Sequence, residues 1–274
     1  MVSVSSIIAI TFVLLLTLVG PIAILLIYGL RHKKQGIWSA WGLGALGFFI
    51  MQVIIRLPIL SILSLSPAFL NFANNNYIIY ALLLAFTAGL FELIGRYVVA
   101  KIMAKNLSYS RSVAAGLGHG GIEAIILVGV SYVNNLLYAF MINTGMLDSL
   151  IDQLAMSADI SPYIQIKNAL VGTPAYLYLF AGYERVLTVV CHLAMTLIVC
   201  YFVAKKQDIK GILLCLGMHT LLDTGAGLIP YFIPTTGANA TLGYIAIYGF
   251  LTVMAVVSIF IIIRIRKRFT SIPG

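Results

Sequence analysis

Predominantly apolar stretches occur over about 5–29, 37–65, 77–100, 112–142, 174–204, 211–230 and 241–263. Each run reaches the roughly 18–20 residues that an α-helix needs to cross a hydrocarbon core about 30 Å thick. The pattern predicts an all-α, polytopic membrane bundle of about seven transmembrane helices, numbered here as spans one to seven. Only 143–173 breaks the rhythm. Gly145, Ser157 and Pro162 punctuate it, and Met146, Leu147, Leu150, Ile151 and Leu154 recur at helical spacing, which predicts a short amphipathic helix outside the bilayer. Neither a soluble domain nor an internal repeat interrupts the series, so 1–274 reads as a single integral-membrane domain. The first run has no basic n-region, exceeds the length of a signal-peptide core and ends in Arg31-His32-Lys33-Lys34, so it reads as an uncleaved anchor.

Composition agrees: 61% of residues are hydrophobic and 9% charged, with a mean hydropathy of +1.05. These values exclude an ordinary soluble enzyme. The formal charge of +9 suggests nucleic acid only until its distribution is read. Arg31, Lys33 and Lys34 follow span one; Lys101, Lys105 and Arg111 join spans three and four; Lys205, Lys206 and Lys210 join five and six; Arg264, Arg266, Lys267 and Arg268 close span seven. The intervening junctions are poor in positive charge, and 143–173 carries Asp148, Asp152 and Asp159 against Lys167. By the positive-inside rule, this alternation predicts a cell-membrane protein with its N-terminus outside, its C-terminus cytoplasmic and 143–173 external. The positive charge thus reports topology and contact with the lipid bilayer, with no nucleic-acid partner implied. Cys191, Cys200 and Cys215 show no ligand spacing and are expected to be packing residues.

Spans one, two and seven hold almost no ionisable groups, Arg56 excepted; the rest collect in spans three to six, a four-helix core over about 77–230. An ionisable side chain at mid-bilayer costs roughly 2.5–3.5 kcal/mol on insertion scales, so each needs a partner or a purpose. In span three, Glu92 and Arg96 are four apart and can pair on one face, either to neutralise each other or to act in chemistry. Span four opens Gly116-Leu117-Gly118-His119-Gly120-Gly121-Ile122-Glu123. Its glycines permit close helix packing and leave volume that could become a wet cavity, while His119 and Glu123 share a face. No P-loop lysine follows, so this is not a phosphate loop. Span five carries Glu184-Arg185 and His192; Arg185 and His192 fall on one side, whereas Glu184 is expected to point elsewhere and to be partly hydrated. In span six, the His219–Asp223 spacing allows a structural His–Asp bond, or lets both face a common ion.

Depth links these groups. Counted from the basic ends, Glu92, His119 and His219 lie roughly 12–14 Å deep, and Glu123, His192 and Asp223 roughly 18–20 Å. Arg96 can offset Glu92, and Arg185 can offset Glu184, which leaves Glu123 and Asp223 beside three imidazoles. That donor set suits a divalent transition metal: three imidazoles, or two with a carboxylate, and an open position are the usual catalytic zinc arrangement.

At these residues the chain resembles the YhfC family of bacterial intramembrane metalloproteases, itself similar to PrsW and the type II CAAX prenyl endopeptidases. Phe91-Glu92-(x3)-Arg96, Gly118-His119-Gly-Gly-Ile-Glu123, Glu184-Arg185-(x6)-His192 and His219-(x3)-Asp223 look like the family's four motifs, in order. Phe91-Glu92 stands where the CAAX enzymes carry paired glutamates, so the base is left open between Glu92 and Glu123. The resemblance implies hydrolysis of a peptide bond in a membrane-associated peptide or protein. His119, His192, His219 and Glu123 would hold Zn2+. Glu92, Arg96, Glu123, Glu184, Arg185 and Asp223 would serve the chemistry, with Arg96 orienting Glu92 or holding an oxyanion and Asp223 orienting His219. The rival readings are an ion- or proton-coupled transporter built on the same groups, and a non-catalytic membrane scaffold or immunity protein. The centre is expected to open toward the basic, cytoplasmic half.

Overall fold

The computed structural model describes residues 1–33, 35–156 and 159–269; Lys34 and Ser157 therefore lie outside the described residues. Every regular element among the described residues is helical. Seven helices are long and apolar enough to span a membrane: Val4–Arg31, Ile37–Leu63, Tyr77–Ile102, Tyr109–Thr144, Ala175–Ala204, Asp208–Phe232 and Ala240–Phe269. They match the seven apolar runs.

Three spans contain a wide π-helical turn, at Leu15–Val19, Phe49–Arg56 and Ile125–Gly129. The first precedes Gly20-Pro21, where the proline ring cannot donate to a regular ladder. The second holds Gln52 and Arg56 of span two, and the third begins two residues after Glu123. Turns of this kind often sit beside functional groups.

The expected amphipathic segment divides into two helices, Met146–Leu154 and Ser161–Gly172. Gly145, at φ 77°, ends span four in a backbone conformation that glycine adopts without strain. Before the second helix, hydrogen bonds from the Ser161 side chain and backbone hold the Asp159 carboxyl below the usual carboxylate range. A further short helix, Pro67–Asn75, lies between spans two and three, with the Ser66 hydroxyl accepting from the Phe69 N–H at 3.5 Å. The apolar pattern did not foretell it.

The chain divides into two compact units. One comprises residues 1–23 and 124–186. Ile10, Val13, Tyr132, Leu147, Leu170 and Tyr178 form its core. Tyr132 donates to the Tyr178 carbonyl at 2.7 Å. The Asn143 amide ties down the N-terminus, accepting from the Val2 N–H at 2.7 Å and donating to the Val2 carbonyl at 3.0 Å.

The other unit comprises residues 24–123 and the chain from Leu187 onward. Ala194 to Tyr201 of span five are all buried there, as expected of a helix segment surrounded by others. Span three packs along span six and against span two. Small residues make the close approaches possible. A Cβ at Gly44 would fall 1.9 Å from the Ala115 carbonyl oxygen, and one at Gly118 would fall 2.1 Å from that of Trp41. The packing role expected of the span-four glycines is thus present. The space left by Gly118 is filled by span-two backbone instead of forming a wet cavity. Cys191, Cys200 and Cys215 are buried and free, as packing residues should be.

Candidate metal centre

Glu92, Arg96, His119, Glu123, His192 and His219 are all buried, and all lie in the second unit. Span three supplies Glu92 and Arg96 one helical turn apart, with Arg96 Nη2 donating to Glu92 Oε2 at 3.0 Å. That pair was anticipated, but its position at the middle of the histidines was not. Glu92 Oε2 lies 3.0 Å from His119 Nε2, 2.8 Å from His219 Nε2 and 3.5 Å from His192 Nδ1. One carboxylate oxygen therefore gathers imidazoles from spans four, five and six.

The second carboxylate meets the cluster from the other side of His192, whose Nε2 is 2.9 Å from Glu123 Oε2. Arg96 Nη2 also contacts His192 Nδ1 at 2.5 Å. A guanidinium only donates, so this contact makes Nδ1 the acceptor and assigns the ring hydrogen to Nε2, facing Glu123. His219 has a carboxylate at each nitrogen, Glu92 at Nε2 and Asp223 Oδ2 at 3.2 Å from Nδ1. Asp223 is the open end of the set, its side chain 33% exposed. The ring of Phe48 packs edge-on against His119, centroids 5.2 Å apart, and fixes that imidazole from span two.

Ligand atoms of Glu92, His119, Glu123 and His192 all lie within 4.8 Å of one another. Bonds of about 2.0–2.1 Å in a tetrahedral zinc site separate ligand atoms by about 3.3 Å, so small side-chain movements would bring donors of this set, one glutamate among them, within bonding reach of one ion. His219 adjoins the group through Glu92. Charge points the same way. The three carboxylates Glu92, Glu123 and Asp223 stand against two guanidinium groups, Arg96 on Glu92 and Arg56 on Gln52, so neutral imidazoles leave the cluster one positive charge short. The residues present fit a divalent cation.

Two groups stand apart from these expectations. Glu184 and Arg185 belong to the other unit, where Arg185 Nη2 and Glu184 Oε1 pair at 2.5 Å. Glu184 does not turn away, because flexible side chains on neighbouring residues can bend together across the roughly 100° between them. Gln52 matches none of the expected site residues, yet its amide Nε2 donates to Glu92 Oε1 at 2.7 Å. The available signal was an amide four residues before Arg56 in an otherwise apolar run.

A membrane-spanning helical bundle with carboxylates and imidazoles converging inside it defines the class to which this chain belongs. The chain matches the YhfC intramembrane metalloprotease family over residues 14–233 and belongs to that family. It is 28% identical over 226 residues to the uncharacterized membrane protein YhfC of Bacillus subtilis (strain 168), an alignment covering 79% of this chain and 84% of that protein. No solved structure matches it. Every residue of the cluster falls within the matched region.

Proposed function

We propose that the chain is an intramembrane peptidase that hydrolyses a peptide bond of a membrane-associated protein or peptide, using water activated at a divalent metal, with zinc the expected ion. The observation that carries this reading is the meeting of three imidazoles at Glu92 Oε2, with Glu123 against His192. His119, His192 and His219, with a glutamate carboxylate, would hold the ion. When bound, the metal supplies Lewis-acid activation of water and of the scissile carbonyl.

The chain's own groups account for the remaining chemistry. Whichever of Glu92 and Glu123 does not hold the ion is placed to accept a proton from water and to return it to the leaving amine. Arg96 Nε and Nη1 are buried and have no hydrogen-bond partner among the described residues. These donors suit a carbonyl oxygen that gains negative charge as water adds. Asp223, with Oδ2 3.2 Å from His219 Nδ1, would orient that imidazole, and the Phe48 ring would hold His119 in place. The N-terminus is proposed to lie outside and the C-terminus in the cytoplasm, following the alternating basic junctions.

Reconstitution of the purified protein in vesicles with single-span model peptides tests the reading. Wild type should release peptide fragments, and removal of divalent ions or Glu123→Gln should abolish release. Cleavage that survives both would overturn a metal-dependent mechanism, and a folded wild type that cleaves none of the peptides would count against a peptidase.

A further inference from the structure

Glu92 Oε2 faces three imidazoles, but its second oxygen points to span two. Gln52 Nε2 donates to Glu92 Oε1 at 2.7 Å, and Gln52 Oε1 accepts from Arg56 Nη1 at 3.3 Å. Arg56 is itself fixed to span three, with Nη2 donating to the Leu84 carbonyl at 2.8 Å and both Nη2 and Nε reaching Thr87 Oγ1 at 3.4 Å. Gln52 and Arg56 are both buried.

The order of this chain of hydrogen bonds has only one solution. A guanidinium cannot accept and an ionised carboxylate cannot donate, so the residue between them must present oxygen to Arg56 and N–H to Glu92. A glutamine amide does both. Leucine would leave a carboxylate oxygen and an arginine N–H without partners, and glutamate would set a second negative charge against Glu92.

We propose that Gln52, held by Arg56, is a positioning residue for the metal centre: it occupies Glu92 Oε1 and so presents Oε2 alone to the histidines. This rests on the metal-dependent reading above, with Glu92 as the glutamate that holds the ion. It assigns span two, which bears none of the family's motif residues, a part in aiming the carboxylate. The π-helical turn at Phe49–Arg56 is the local backbone that carries both groups.

The test is a Co2+ titration of the full-length protein in detergent, followed by visible absorption, for wild type, Gln52→Leu and Arg56→Lys. Circular dichroism melting would show that each variant is folded. Loss of a hydrogen-bond partner behind a ligand typically costs about 10–100-fold in metal affinity, and Gln52→Leu should bind Co2+ more weakly by that factor with an altered ligand-field spectrum. A folded Gln52→Leu protein with wild-type affinity and spectrum would overturn the proposal.

An infrared measurement keeps the proposal separate from the metal reading. If wild type takes up no Co2+, the metal-dependent function fails, and Gln52 is then judged on the carboxylate stretch that disappears in Glu92→Gln. That band should shift in Gln52→Leu as Oε1 loses its donor. An unmoved band would overturn the positioning role. Should Gln52→Leu not fold, Arg56→Lys, which keeps the charge but loses the planar fork, should shift the same band by a smaller amount, and no shift there would count equally against the proposal.

Discussion

At the scale of single residues, Glu92 is the group on which the centre turns, because its two oxygens do different things. Oε2 meets Arg96 and the histidines, whereas Oε1 is held by Gln52. Whether Glu92 holds the ion or moves the proton, Glu92→Gln should therefore reduce peptide cleavage by at least about 10²-fold without unfolding the protein. A fall of less than tenfold, measured as initial rates on a model peptide, would remove Glu92 from the chemistry. Arg96→Lys makes a separate prediction. Lysine keeps the charge but loses the fork that places Nε and Nη1, so kcat should fall by about 10²–10³-fold, as when an oxyanion donor is removed. An unchanged kcat would limit Arg96 to balancing Glu92. Much of this was legible in the sequence, since an acid or imidazole in an apolar run is conspicuous. Gln52 was not, because an uncharged amide is inexpensive enough in a helix to pass as ordinary. Shared depth sets Glu92 beside the histidines, but the meeting of all three at one of its oxygens is not legible, because helical spacing specifies neighbours on one helix and not those arriving from others.

At the scale of the elements, the spans were readable because bilayer thickness imposes their length, whereas the short helix Pro67–Asn75 and the division of 143–173 depend on local caps and turns. Close packing sets the second kind of constraint. Gly44 and Gly118 face backbone carbonyls at distances that no Cβ tolerates, whereas Gly42 has open space around it. Gly44→Ala should destabilise the folded protein by about 1–3 kcal/mol, the usual cost of overpacking, and should also move span four relative to span two and so weaken metal uptake. Gly42→Ala should leave both unchanged. Comparison of melting temperatures and Co2+ uptake for the two variants checks this, and equal behaviour would mean that span two and span four can separate without consequence.

At the scale of the whole molecule, charge distribution and access belong together. Reporter fusions at Lys105, Asp152 and Lys206 should report inside, outside and inside; a cytoplasmic signal at Asp152 would overturn the proposed orientation. The sequence led to the expectation that the centre opens toward the basic ends, through space left by the span-four glycines. In the second unit Met103, Ala115, Met195, Val199 and Cys215, which lie along their helices between the cluster and those ends, are all at most 2% exposed. Asp223, the partly exposed member of the cluster, lies on the opposite side of His219, toward Phe232. A single cysteine at Thr224, in a protein without its native cysteines, should therefore react with a polar thiol reagent faster than a protein that keeps Cys215 as its single cysteine, and should do so from the face opposite the Lys205–Lys206 junction. Faster labelling at Cys215 from the basic face would restore the cytoplasmic route. Packing decides this, and packing between helices is the part of the fold that hydropathy does not encode.

The claim that bears all the others is that the buried glutamates and histidines hold a metal ion. Elemental analysis of purified wild type beside His119→Ala and His219→Ala, each shown to be folded by circular dichroism, measures it directly. Wild type should contain close to one zinc or similar divalent ion per chain, and both variants should lose most of it. Folded wild type that contains no divalent metal and takes none up on addition, or variants that retain a full complement, would contradict it.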